Sequence, residues 1–120
     1  MLNKLRTVIY HVNDIAKAKE WYIQLTGMQP YFDEIFYVGF DINGCELGLD
    51  PDMNNIEKGN HHTAYWSVDD IAKAVAHAEN IGATIISPIN NVGGTIEVAI
   101  IADPFGNNSY FNSTAHIVNG

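Results

Sequence analysis

The chain has 120 residues, 47% apolar and 17% charged, and six Lys and Arg stand against fourteen Asp and Glu for a formal charge of −8. This composition excludes a disordered chain, a membrane-spanning helix of roughly 20 apolar residues, and the basic stripe with which a nucleic-acid binder displaces counterions. Cys45 is the single cysteine, so no internal disulfide is possible, and the N-terminus carries no apolar segment of signal-peptide length.

The expected compartment is therefore the cytoplasm, and neither a membrane nor a nucleic acid is an expected partner. Arg6 is the single arginine and no Lys or Arg follows Lys73. A clustered phosphate or phosphonate site is thus not expected, and the acidic balance favours neutral or cationic small molecules.

Leu5 to Val12 alternates and is rich in β-branched residues, which predicts a first strand. Asn13 or Asp14 caps a helix whose apolar stripe is Ile15, Ala18, Trp21, Tyr22 and Leu25, and Gly27 stands where a left-handed cap ends it. Strands are then predicted over Gln29–Glu34, Phe36–Ile42 and Cys45–Asp50, the last two joined by the Asn43-Gly44 hairpin signal. Pro51 to Asn60 is polar and turn-rich, as a linker would be.

The order then begins again. His61 to Val68 reads as a strand and Asp69 or Asp70 as a cap. Ile71, Ala74, Val75, Ala78 and Ile81 form a helix stripe, with Gly82 at its end. Thr84–Ile89, Thr95–Ala102 and Asn108–Ala115 are the closing strands, with Gly93-Gly94 and Pro104-Phe105-Gly106 as turns. Residues 7–18 laid on 63–74 agree at seven of twelve positions: Thr, Val, Asp, Ile, Ala, Lys and Ala. The chain is thus two copies of a βαβββ module, 1–55 and 56–120, forming one domain. The fold class is α+β, with two pseudo-symmetric modules whose curved mixed sheets form a cleft.

Strand parity assigns the faces. Val8, Tyr10 and Val12 go under the first helix, and Ala64, Trp66 and Val68 under the second. The opposite face carries Thr7, Ile9 and His11 beside Glu46, Gly48 and Asp50 in the first module. In the second it carries Thr63, Tyr65 and Ser67 beside Asn108, Tyr110 and Asn112. These twelve residues are the expected ligand-binding positions. Gly48 is expected to leave room for a ligand group, and Tyr110 to fill the symmetric position with a ring and a hydroxyl. Glu46 and Asp50, with no cation among these positions, are expected to give a negative potential. Tyr31, Phe32, Phe36 and Tyr37 are two adjacent pairs, of which parity lets one member each reach the cleft.

Val12-Asn13-Asp14-Ile15, Trp21-Tyr22 and Leu25-Thr26-Gly27-Met28 in the first half, and Ser67-Val68-Asp69-Asp70, Ile81-Gly82-Ala83 and Ala102-Asp103-Pro104-Phe105-Gly106-Asn107 in the second, carry a likeness. The chain resembles the vicinal oxygen chelate superfamily, which includes glyoxalases, bleomycin-resistance proteins and extradiol dioxygenases. The resemblance implies a paired βαβββ fold and a homodimer. In metal-dependent members it implies one ligand on the first and last strand of each module. Counting from the Val-x-Asp motifs and the turn glycines, those positions are Thr7, Gly48, Thr63 and Tyr110, and none is a His or a carboxylate. No metal or cofactor is therefore expected, as in bleomycin-resistance proteins, and the expected function is binding or sequestering a neutral or cationic small molecule. The alternatives are a metal-dependent lyase or dioxygenase using a displaced site at His11, Glu46 and His61, a metal-free isomerase-type enzyme using Glu46 or Tyr110 as acid or base, and a protein-interaction module.

Overall fold

The architecture follows from two short helices, each laid across one mixed sheet. In the computed structural model, which describes residues 2–58 and 63–113, the element order is β1 (Thr7–His11), α1 (Ile15–Thr26), β2 (Phe32–Glu34), β3 (Tyr37–Ile42), β4 (Cys45–Asp50), β5 (Tyr65–Val68), α2 (Ile71–Asn80), β6 (Thr84–Gly93), β7 (Ile96–Ala102) and β8 (Asn108–Ser113). The chain divides into two units, Met1–Glu57 and Lys58–Gly120. Each is βαβββ, so the α+β fold of two mixed four-stranded sheets read from the repeat is the fold observed.

In the first unit the strand order is β1-β4-β3-β2, with β1 parallel to β4 and the other pairs antiparallel. Asp14 starts α1, its Oδ1 accepting from the Lys17 N–H at 3.1 Å, and Gly27 ends it at φ 71°, its N–H donating to the Ile23 carbonyl. The buried helix residues Ala18, Trp21 and Tyr22 cover Tyr10, Val12, Val38, Phe40, Leu47 and Leu49 on one sheet face. Val8, near the start of β1, is the member of the predicted set that stays exposed. Asn43 and Gly44 both take positive φ, 50° and 93°, so the β3–β4 hairpin has the twist of a primed turn.

The second unit repeats the plan as β5-β8-β7-β6, again with a parallel first pair. Asp70 caps α2 through the Lys73 N–H at 3.1 Å. Ile71, Val75 and Ala78 pack over Ala99, Ile101 and Phe111. The long strand β6 is an edge strand with three register shifts, and these irregularities accommodate Pro88, which lacks an N–H for the ladder.

Several boundaries differ from the sequence reading. β2 is only Phe32–Glu34, because Pro30 lacks a donor for the ladder. β6 runs on to Gly93 instead of stopping at Ile89. β5 begins at Tyr65, and His61 and His62 lie outside the described residues, as does His116.

Candidate functional site

The face of the first sheet opposite α1 is built around two glycines. Gly39 on β3 pairs with Gly48 on β4, so two adjacent strands lack side chains at one point. The hollow is filled from the side. Tyr37, on β3, lays its phenol over Gly48, where a Cβ would overlap the ring oxygen. Tyr31 and Glu46 lie over Gly39, where a Cβ would sit 2.7 Å from Glu46 Oε2 and 3.2 Å from Tyr31 Cε1. The room expected above Gly48 is therefore not open to a ligand. It holds a tyrosine from the neighbouring strand.

Glu46 is the centre of this arrangement. The parallel register pairs Thr7 with Glu46, Ile9 with Gly48 and His11 with Asp50. Thr7 therefore faces a carboxylate, and Gly48 faces Ile9. Glu46 Oε1 accepts from the Thr7 hydroxyl at 2.9 Å and the Tyr37 hydroxyl at 2.8 Å, and Oε2 accepts from the Tyr31 hydroxyl. Arg6 Nη1 lies 3.5 Å from Oε1 and also donates to the Thr7 hydroxyl at 2.9 Å. The Glu46 side chain is only 10% exposed, whereas that of Arg6 is 75% exposed.

Charge and protonation follow from those contacts. Burial pushes the Glu46 carboxyl up, but the hydroxyls of Tyr31, Tyr37 and Thr7 and the Arg6 charge outweigh it, and its pKa lies below the usual carboxylate range. Burial, then the hydrogen bond to Glu46, holds Tyr37 well above an ordinary phenol. Its own hydrogen bond to Glu46 leads in raising Tyr31. The carboxylate stays ionised and both phenols stay neutral across the physiological range. The negative potential expected here is partly cancelled by Arg6. Parity did not place Arg6 on this face, because residue 6 precedes β1 and its side chain turns back over Thr7.

Two depressions border the cluster. One, of about 420 Å³, is lined by Thr7, Ile9, Phe32 and Tyr37, and the other, of about 650 Å³, by Lys4, Asp41 and Gly44. Arg6, Tyr31 and Glu46 line both. Ile9 is 47% exposed, and Phe32 stands edge-on to Phe36 and Tyr37. Tyr31 and Phe32 both reach the groove, although they are adjacent in sequence, because Tyr31 lies just outside β2 and escapes its alternation. Phe36, also outside a strand, is exposed.

His11 and Asp50 are four residues along their strands from Thr7 and Glu46, roughly 13 Å at 3.3 Å per residue. His11 donates from Nδ1 to the Asp52 carbonyl at 2.8 Å, and Asp50 Oδ1 accepts from the Asp52 N–H. The displaced site of His11, Glu46 and His61 is therefore not assembled. Its first two members are too far apart to share an ion, and His61 lies outside the described residues. For the same reason Glu46 and Asp50 are not paired carboxylates.

In the second unit, Tyr65 pairs with Tyr110 and Ser67 with Asn112. The two tyrosine rings pack at 5.0 Å and 44°. Asn108 starts β8, where it pairs with Ala102, and Thr63 is exposed ahead of β5. Asn112 Oδ1 is buried with no hydrogen-bond partner among the described residues.

A sequence profile of the Glyoxalase/Bleomycin resistance protein/Dioxygenase superfamily matches residues 4–109. The chain belongs to this superfamily. A search of the curated proteins finds no match. Among solved structures it is similar to a glyoxalase/bleomycin resistance protein/dioxygenase family enzyme from Burkholderia phytofirmans PsJN, with TM-score 0.80, 21% identity, and 92% of this chain and 98% of that one covered. It is also similar to a glyoxalase-related enzyme from Fulvimarina pelagi, with TM-score 0.78, 14% identity, and coverage of 93% and 88%. A glyoxalase/bleomycin resistance protein from Albidiferax ferrireducens T118 gives TM-score 0.74 at 20% identity, covering 91% and 98%. At these identities the likeness concerns the fold.

The donor set does not fit the metal that some superfamily members use. Among the described residues no group of three or more His, Cys, Asp or Glu is placed to hold an ion. Around Glu46 the neighbours are three hydroxyls that donate to it and a guanidinium, and a cation beside a cation is unfavourable. The same description shows that no described helix is long and apolar enough to cross a membrane.

Proposed function

We propose that this superfamily member binds a small, neutral, planar organic molecule in the groove of the first unit, without metal and without proton transfer at Glu46. The observation that carries this reading is an ionised, multiply hydrogen-bonded carboxylate beside an exposed apolar wall. A general base needs a pKa near the working pH, so that it is both ionised and basic enough to take a proton. Glu46 has a lowered pKa and hydrogen bonds on both oxygens, and its tyrosine partners are held above ordinary phenols. What the site offers is recognition: Ile9 and Phe32 as an apolar wall, and a fixed polar floor. Arg6 beside Glu46 favours the neutral ligand over the cationic one. The test is a thermal-shift screen of neutral arenes, aryl ammonium compounds and dicarboxylates, on wild type and on Ile9→Asp. Neutral arenes should stabilise the wild type and lose their effect in the variant. Stabilisation that Ile9→Asp leaves untouched would overturn the placement.

A further inference from the structure

The two oxygens of Glu46 are unlike. Oε1 takes Thr7 and Tyr37 and faces Arg6, and both hydroxyls come from residues within the strands of the sheet. Oε2 takes Tyr31 alone among the described residues. A carboxylate oxygen has room for two donors, so Oε2 has capacity left. Tyr31 is also the least anchored of the donors. It precedes β2, the residue is 59% exposed, and its backbone is tied by one N–H to the Gly39 carbonyl at 3.0 Å. Together with Arg6 and Glu46 it lines both depressions, of about 420 Å³ and about 650 Å³.

The geometry points to a hydroxyarene, a neutral phenol-type molecule, as the ligand of this groove, its hydroxyl donating to Glu46 Oε2 in place of Tyr31. The inference rests on the binding reading above and names the ligand class. Exchange of one phenol for another conserves the hydrogen bond, so the carboxylate loses nothing when Tyr31 yields. The ligand ring then lies against Ile9 and Phe32, both partly exposed. Other classes fare worse for stated reasons. A carboxylate or phenolate has no proton to donate and meets the charge of Glu46. An ammonium meets Arg6. An ether of the same ring supplies no donor at all.

The experiment measures fluorescence titrations at pH 7 with three probes of one shape: 2-naphthol, 2-methoxynaphthalene and 2-naphthoate. They are run on wild type, Tyr31→Phe and Ile9→Asp. The expected result is that wild type binds 2-naphthol only a few-fold more tightly than its methyl ether, less than the roughly tenfold of one unopposed charge-assisted hydrogen bond, because Tyr31 gives up its own. Tyr31→Phe, which keeps the ring and removes the competing hydroxyl, should tighten 2-naphthol by a further several-fold and leave the ether unchanged. Equal affinity of naphthol and ether in Tyr31→Phe, or a naphthol affinity that Tyr31→Phe leaves unchanged or weakens, overturns the hydroxyl assignment while Ile9-dependent binding stands. Absence of binding by all three probes, or binding that ignores Ile9→Asp, overturns the binding reading with it.

Discussion

Gly48→Ala adds one methyl group to the sheet, and its consequence can be followed atom by atom. The new Cβ would overlap the Tyr37 hydroxyl and lie 2.6 Å from its Cζ and 3.0 Å from its Cε1. Gly48 is buried and paired on both sides, with Ile9 and with Gly39, so the backbone cannot move without opening two ladders. The ring must therefore leave, and the 2.8 Å bond from Tyr37 to Glu46 leaves with it. A hydrogen bond to a charged group contributes about 1.5–3 kcal/mol, and overpacking costs about 1–3 kcal/mol. The strand preference of Ala over Gly returns about 0.5–1 kcal/mol. The net loss is roughly 2–5 kcal/mol, a fall in Tm of about 10 °C or more for a chain of this size. Urea and thermal unfolding followed by circular dichroism read it directly. The penalty should fall below about 0.5 kcal/mol when Gly48→Ala is made in a Tyr37→Ala background, where the hollow is empty. A variant that melts within about 2 °C of wild type, or a penalty equal in both backgrounds, would refute the reasoning.

Two further outcomes concern Glu46 and Tyr37, and a third concerns the Asp103 turn of the second unit. Because the fold lowers the pKa of Glu46, its stabilisation is present above the ordinary carboxylate value and lost as the pH falls through the folded one. The advantage of wild type over Glu46→Gln in urea midpoints should accordingly shrink below about pH 4, and a gap constant down to pH 2.5 contradicts this. Because burial and Glu46 raise Tyr37, its contribution is complete below the unfolded phenol value of about 10 and fades as the pH climbs beyond it. In an alkaline absorbance titration of the six tyrosines, Tyr37→Phe should delete a step above the ordinary phenol range, and loss of an ordinary step instead would be wrong for this assignment. Asp103, 6% exposed, accepts from the Phe105 and Asn107 N–H groups and the Asn107 amide. Asp103→Ala should cost about 2–3 kcal/mol in urea unfolding, and Asp103→Asn, which keeps an acceptor, less than half of that.

Much of the fold was legible because its signals are local. Asp14 and Asp70 cap where a carboxylate precedes an apolar stripe, and the Asn43-Gly44 turn forces a hairpin. Alternation then placed Thr7 beside Glu46, Ile9 beside Gly48 and Tyr65 beside Tyr110, and the ladders have that register. What parity could not give was any residue just outside a strand. Arg6 and Tyr31 reach Glu46 from positions where alternation no longer applies, and they set the charge of the site and the donor on Oε2. Nor could it show that the vacancy at Gly48 is filled from β3. The signal was present, since two glycines on neighbouring strands and two tyrosines flank Glu46, but the Gly39–Gly48 pairing is visible only once β3 and β4 are in register.

The repeat shows how one backbone carries two different surfaces. The register pair Gly39–Gly48 of the first unit corresponds to Ile100–Tyr110 of the second, each across the antiparallel pair that ends its unit. In the first unit both positions give up their side chains, and the space is spent on a carboxylate held by hydroxyls from three directions. In the second unit both positions are filled, and Tyr110 packs on Tyr65 instead of on a charge. A buried carboxylate is tolerated only where donors surround it, and donors as large as tyrosine need a place to lie. The glycine pair supplies that place. Glu46 and the two glycines are thus one device, and changing either glycine changes the carboxylate. This coupling, more than the shared fold, separates the two halves of the chain in what they can recognise.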